Sequence, residues 1–314
     1  MEQRSLGGLS VSVIGVGCNN FGQRFGKEQT TEVVLAALDS GVNYFDTSDS
    51  YGQGSSEECL GFALKNHRTH AIIATKYDGA PGDARSSCLA SLARLQMDYI
   101  DLYQIHHPYL GAPVAETIGA LSDLVDEGLV REIGCSNFSV PQLREARAMA
   151  EAGHVRFVSV QNDYNLLNRK QELDVIPECQ MTSVAFNAYF PLYHGLLTGK
   201  FHRGAPLPGG TRLGAASTAR KAAVFTTENF DVVEQLTNFA MQHGKTLLDV
   251  ALARLIYVPG VTSVIAGATW PDQVRANAAS AQWVLSEELC REIDVIAPCR
   301  GDAKDTPSAA HGIA

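Results

Sequence analysis

The sequence predicts an α/β protein: one (β/α)8 TIM barrel with an N-terminal β-hairpin and extra C-terminal helices. Three observations predict it. Short apolar runs alternate with longer stretches of helical period along most of the 314 residues, the pattern of a sheet flanked by helices. The first βα turn, Gly15-Val16-Gly17-Cys18-Asn19-Asn20-Phe21, lacks the GxGxxG spacing that opens a doubly wound dinucleotide-binding sheet. Polar residues recur at the C-terminal end of nearly every apolar run, at Asp46, Lys76, His106, Ser136–Asn137, Gln161 and Tyr189. A closed barrel gathers the ends of all its strands around one mouth, so such a ring of polar groups suits it.

Taken in order, the first dozen residues read as a hairpin turning at Gly7-Gly8 ahead of the first barrel strand. Strands are predicted over 13–16, 43–46, 72–75, 100–106, 130–134, 157–161, 183–187 and 263–266. They are rich in Val, Ile, Phe and Tyr without sustained polar alternation, as in strands buried on both faces. Helices are predicted over 30–39, 57–65, 84–95, 115–127, 140–150 and 249–257. Ser55/Ser56 ahead of Glu58, Ser139 with Pro141, and Pro271-Asp272 are start signals; Gly41, Gly128 and Gly153 are stop signals. The segment 201–218 is the longest irregular stretch, readable as a surface loop or as a flap over a bound ligand. The barrel is expected over 1–298 and a flexible tail over 299–314.

Composition narrows the function. The chain is 45% hydrophobic and 19% charged, ordinary for a globular protein, and its net charge is −9 with no basic run. No nucleic-acid partner is expected. No signal core and no membrane-length apolar stretch is present, so no membrane partner and a cytoplasmic location are expected. Seven cysteines stand singly without a CxxC pair, which reads as free thiols and predicts no metal site. Nothing in the sequence fixes an oligomeric state.

The chemistry sits at the predicted strand ends. Asp46 closes an apolar strand, where an unpaired carboxylate is costly. Lys76 is the only lysine or arginine that closes a barrel strand, and so its expected partner. An ammonium held by a carboxylate beside a tyrosine favours phenolate, and is expected to lower the tyrosine pKa from about 10 toward the working range. Tyr51, followed by Gly52, can turn back over the mouth. Strand alternation in the run 99–108 puts Leu102, Gln104 and His106 on one face and Tyr103, Ile105 and His107 on the other. His106 is then the catalytic candidate and His107 a rim residue. A strand-end ion pair or a single histidine has a structural explanation of its own; four such groups on three successive strands are hard to explain by packing.

With these residues in place, the sequence closely resembles the aldo-keto reductases over roughly residues 4–283. The resemblance is carried by Leu9-Ser-Val-Ser-Val-Ile-Gly-Val-Gly-Cys18, Phe45-Asp-Thr with Tyr51-Gly52, Ala74-Thr-Lys76, Ile100-Asp-Leu-Tyr-Gln-Ile-His106, Gly134-Cys-Ser-Asn-Phe138, the Tyr189-Phe-Pro-Leu run to Lys200, and Val264-Ile-Ala-Gly-Ala268. It implies a catalytic tetrad of Asp46, Tyr51, Lys76 and His106. It also implies an NADP cofactor across the barrel top, its carboxamide held by Ser136, Asn137 and Gln161 and its ring stacked on Tyr189. Leu192, Gly195 and Leu196 would line the pyrophosphate path, and Asn277 matches the adenine contact. The implied reaction reduces a small carbonyl substrate, an aldehyde or ketone, to an alcohol, with Tyr51 as proton donor.

Two departures matter. Gly267, Thr269 and Gln273 stand among the expected cofactor contacts where the family often has basic residues for the 2′-phosphate. That leaves Arg275 and the amides after Pro271 for the anion, with NAD as alternative cofactor. Phe190 stands where the family commonly has serine. Phe21, Tyr77, His107 and Tyr109 are expected to line the substrate mouth. The alternatives are an NAD-dependent sugar or polyol dehydrogenase and, from another class, a cofactor-sensing subunit like the potassium-channel β subunit.

Overall fold

The computed structural model describes residues 1–300, so the expected tail lies outside the described residues from position 301 on. The chain opens on an antiparallel pair, β1 (Gln3–Leu6) and β2 (Leu9–Ser12), joined at Gly7-Gly8. Eight parallel strands follow: β3 (Ile14–Gly17), β4 (Tyr44–Asp46), β5 (Ile72–Tyr77), β6 (Ile100–Ile105), β7 (Val130–Ser136), β8 (Phe157–Asp163), β9 (Ala185–Tyr189) and β10 (Val261–Gly267). They close in sequence order, with β10 paired to β3.

The crossovers carry α1 (Lys27–Asp39), α2 (Ser55–Leu64), α3 (Ala84–Leu95), α4 (Val114–Asp126), α5 (Val140–Glu151) and α6 (Val175–Thr182). Between β9 and β10 lie α7 (Thr218–Val224), α8 (Thr227–Gln242) and α9 (Leu247–Ile256); α10 (Pro271–Ser280) and α11 (Glu287–Ile296) follow the last strand. The expected barrel, hairpin and extra C-terminal helices are all present. No helix among the described residues is long and apolar enough to cross a membrane.

Period-two alternation divides the apolar residues into two cores. Tyr44, Ala74, Leu102, Val158, Ala185 and Ile265 point into the barrel and meet Leu6, Leu9 and Val11 of the hairpin. The hairpin thus plugs one end, each of its three buried side chains stabilising the fold by about 1.5–3 kcal/mol. Phe45, Ile73, Tyr77, Tyr103 and Ile105, one step out of phase, pack against the helices.

Element boundaries shift where hydrogen bonding and hydrophobicity disagree. β5, β7 and β8 run past the predicted ends because parallel pairing continues through Tyr77 with Ile105, Ser136 with Gln161, and Asp163 with Tyr189. The side chains there have already turned polar, so an apolar pattern stops too early. The expected serine cap of α2 is not used: Gly54 is the N-cap, and the Ser56 hydroxyl donates to the Cys18 carbonyl at 2.8 Å. At α5 the expected cap holds, with Ser139 and Gln142 forming a capping box. The segment 201–217 contains turns only.

Candidate active site

β4 and β5 bring Asp46 and Lys76 together because both point inward at paired strand ends. The Lys76 ammonium, fully buried, donates to both Asp46 oxygens at 2.8 and 2.7 Å and to the Thr47 carbonyl at 2.9 Å. The Gln161 and Gln104 amides donate to the same carboxylate at 2.8 and 3.3 Å. Burial alone would discharge Lys76, but the Asp46 carboxylate and its hydrogen bonds raise the Lys76 pKa above its ordinary value. A protonated lysine is therefore fixed beneath the mouth.

Tyr51 reaches this ammonium through the turn that follows β4. The Tyr51 amide donates to Ser48 at 3.2 Å, and Gly52, Gln53 and Gly54 then take successive left-handed conformations. At Gly52 a side chain would collide with the Ser55 hydroxyl, so glycine is required both for the turn and for the close approach. The Lys76 ammonium lies 5.3 Å from the centre of the Tyr51 ring, and the His106 ring packs edge-on to it at 5.7 Å. All four expected tetrad residues thus converge.

The acidity of Tyr51 departs from expectation. Burial raises its pKa above 10 and outweighs the opposing charge of Lys76; Asp46 raises it further and Arg212 lowers it. Sequence reasoning counted the ammonium but not the desolvation, which depends on how completely the loop is packed. Tyr51 is accordingly a phenol at neutral pH.

The two histidines also depart from strict alternation. β6 ends at Ile105, and in the bend beyond it the His106 and His107 rings stack at 4.7 Å instead of facing apart. Both Nδ1 atoms approach Asp78, at 3.0 and 2.8 Å. His106 Nδ1 also lies 3.2 and 3.4 Å from the Ser48 and Ser50 hydroxyls. Burial holds the His106 pKa below its usual value, against the pull of Asp78. The two ring protons draw the Asp78 carboxyl well below the usual carboxylate range despite its partial burial. Sequence reading missed Asp78, which lies one residue beyond the end of β5, where strand alternation no longer places a side chain.

Of the expected mouth residues, His107 is partly exposed and Tyr109 exposed at the rim. Phe21 and Tyr77 do not line the mouth. Tyr77, one step out of phase with Lys76, is buried outside the barrel and stacked on Tyr103 at 5.3 Å. Phe21 is buried edge-on to Phe25 in the same outer core.

The expected cofactor residues form a connected surface beside the tetrad. The Ser136 hydroxyl donates to the Gln161 carbonyl at 2.7 Å, Asn137 Nδ2 to the His106 carbonyl at 2.9 Å, and the Tyr189 hydroxyl to Asn137 Oδ1 at 2.7 Å. Leu192 and Gly195 are part-exposed, whereas the Leu196 side chain is buried in the outer core and does not line the surface. Past β10, Gly267 and Gln273 are exposed, Gln273 accepts from the Thr269 amide at 2.8 Å, and Asn277 is buried. Arg275 is paired with Asp272 at 2.8 Å.

The long irregular segment supplies what the sequence did not reveal. The Arg24 guanidinium donates to the Gly210 carbonyl at 2.6 Å, tying the segment to the loop after β3. Arg212 lies over the Phe190 ring at 5.4 Å. Burial and the charges of Arg220 and Arg24 lower the Arg212 pKa; burial and Arg24 do the same to Lys200. His194, its ring tilted against Phe190 at 4.9 Å, is held down to about 4 by burial and by Arg212 and Arg220, and its Nε2 is buried without a hydrogen-bond partner. No periodic pattern marks a cation on an irregular loop, so only the folded chain brings these groups together.

This fold recurs in known proteins. The family model described as "Aldo/keto reductase family" matches residues 13–298. The aldo-keto reductase YhdN of Bacillus subtilis is 33% identical, the match covering 94% of this chain and 93% of that one. An NADH-specific methylglyoxal reductase of Escherichia coli is 31% identical, with 82% and 83% covered. The crystal structure of an aldo/keto reductase from Klebsiella pneumoniae in complex with NADP and acetate superposes with a TM-score of 0.74 at 28% identity, covering 93% of both chains. The chain belongs to the aldo/keto reductase family.

Proposed function

We propose that this chain is an NAD(P)H-dependent reductase of aldehydes or ketones, with NADP as its cofactor and Tyr51 as its proton donor. One observation carries the proposal: a partly buried phenol is held between His106 and an ammonium that Asp46 keeps charged. The residues fit a dinucleotide. Burial and the charge of Arg24 lower the proton affinity of Lys200 and Arg212, Arg220 adding to the effect at Arg212, and cations so placed favour a polyanion beside them. The orphaned His194 Nε2 lies near Arg212. Ser136, Asn137 and Gln161 offer amide and hydroxyl groups suited to a carboxamide, and the Tyr189 ring a face for stacking.

When bound, the nicotinamide supplies a hydride for the carbonyl carbon. The Tyr51 hydroxyl donates its proton to the carbonyl oxygen, and the Lys76 charge stabilises the phenolate left behind. In the tautomer whose Nδ1 accepts from Ser48 or Ser50 instead of donating to Asp78, the neutral imidazole carries its proton on Nε2 and can donate it to the same oxygen. The E. coli relative named for NADH specificity, together with Gly267, Thr269 and Gln273 in place of basic residues, favours a second reading with NAD. Titrating the pure protein with NADPH and NADH, then assaying a panel of carbonyl compounds, decides between them. No turnover with any aldehyde or ketone would overturn the enzyme reading and leave a cofactor-binding subunit.

Two further outcomes are expected. Replacing Arg212 with leucine weakens cofactor binding by roughly 10- to 100-fold, the cost of one charge-assisted contact, as measured by fluorescence titration. The pH dependence should differ by direction of reaction. Tyr51 has its pKa raised, so it stays protonated through neutral pH and carbonyl reduction is flat there. Alcohol oxidation needs the phenolate as base, so its rate should climb from about pH 6 to about pH 9. An oxidation rate that falls over that interval would contradict this role.

A further inference from the structure

We infer that Asp78, His106 and His107 form a binding site for a divalent transition-metal ion such as zinc, and that its occupancy slows the enzyme. The sequence, lacking any recognised ligand spacing, predicted no metal site. Folding creates one because β6 stops at Ile105 and the next two side chains emerge on the same side. One carboxylate oxygen of Asp78 faces each Nδ1, at 3.0 and 2.8 Å, and all the potential ligand atoms lie within 4.8 Å of one another. Among the described residues this is the only such group of three.

The chemistry suits a borderline ion. Two imidazoles and a carboxylate match zinc, with a fourth position left for water. With Zn–N bonds of about 2.0–2.1 Å, tetrahedral ligand atoms lie roughly 3.3–3.5 Å apart. The site must open by about half an ångström from its hydrogen-bonded geometry, a change that partly exposed side chains accommodate: 13% for His106, 36% for His107 and 44% for Asp78. On binding, each imidazole moves its proton to Nε2 and presents the Nδ1 lone pair, so the ion replaces the two hydrogen bonds to Asp78.

The kinetic half rests on the proposed role of His106. A metal on Nδ1 ends the alternative contacts of that nitrogen with Ser48 and Ser50 and shifts the ring packed on Tyr51. A displacement on the order of 1 Å in such a group can cost about 10²-fold in rate.

The test uses the full chain and two readouts. Cobalt(II) titration should give one equivalent with the visible spectrum of a nitrogen and oxygen site and no thiolate charge-transfer band; zinc should displace it. His107→Ala and Asp78→Asn should each weaken zinc binding by about 10-fold or more, with folding checked by circular dichroism. Cys299→Ser, at the one cysteine not buried among the described residues, should leave zinc affinity unchanged. No stoichiometric binding, binding indifferent to both ligand variants, or a thiolate band overturns the site. Stoichiometric binding with unaltered turnover overturns the inhibitory half. Cobalt binding by a protein without reductase activity would keep the site and sink the catalytic reading instead.

Discussion

Tyr51→Phe is expected to leave the affinity for the nicotinamide cofactor nearly unchanged while lowering carbonyl turnover by about 10²- to 10⁴-fold. The phenyl ring keeps the edge contact with His106 and the packing over Lys76, so the fold and the cofactor surface lose little. What disappears is the hydroxyl. Without it the developing alkoxide has no proton donor, and the Lys76 charge has no phenolate to stabilise. Equilibrium titration with NADPH and single-turnover reduction of an aldehyde separate the two effects. Near-normal turnover in this variant would move the proton donor elsewhere and dismantle the proposed mechanism.

Lys76→Met is expected to have the largest effect on stability. It leaves the Asp46 carboxylate buried with only two amide donors, Gln161 and Gln104. Breaking one side of a buried ion pair costs about 3–5 kcal/mol. With an unfolding entropy of about 2.1 cal/mol/K per residue, a chain of this length shifts by roughly 1.5 °C per kcal/mol, so the Tm should fall by about 5–8 °C. The double variant, Asp46→Asn with Lys76→Met, removes both charges and should recover part of the loss. Both variants should be inactive, because neither keeps an ammonium beside Tyr51. Additive Tm losses in calorimetry would show that the two side chains do not act as a pair.

Most of the tetrad was legible because it obeys local rules. Asp46 and Lys76 close buried strands, and a charge in that position demands an opposite one nearby. Applied rigorously, the same alternation would have excluded Tyr77, which is one step out of phase with Lys76; Asp78, one residue past the end of β5, lay beyond its reach. Phe21 carried no phase to read, since it follows the end of β3. His107 defeated the alternation rule because the strand had already ended. Arg212, Lys200 and Arg24 lie on irregular chain, where neither period nor spacing tells which end of the barrel a side chain meets.

The sequence by itself determined the closed eight-stranded barrel, its hairpin plug, and the residue types ringing its mouth, because hydrophobic period and strand-end polarity are local properties of the chain. The tertiary structure alone decided the proton affinity of Tyr51, the shared carboxylate between two stacked histidines, and the placing of Arg212 over Phe190. Each depends on burial or on charges from distant segments, and desolvation and Coulomb energies exist only once the segments have met.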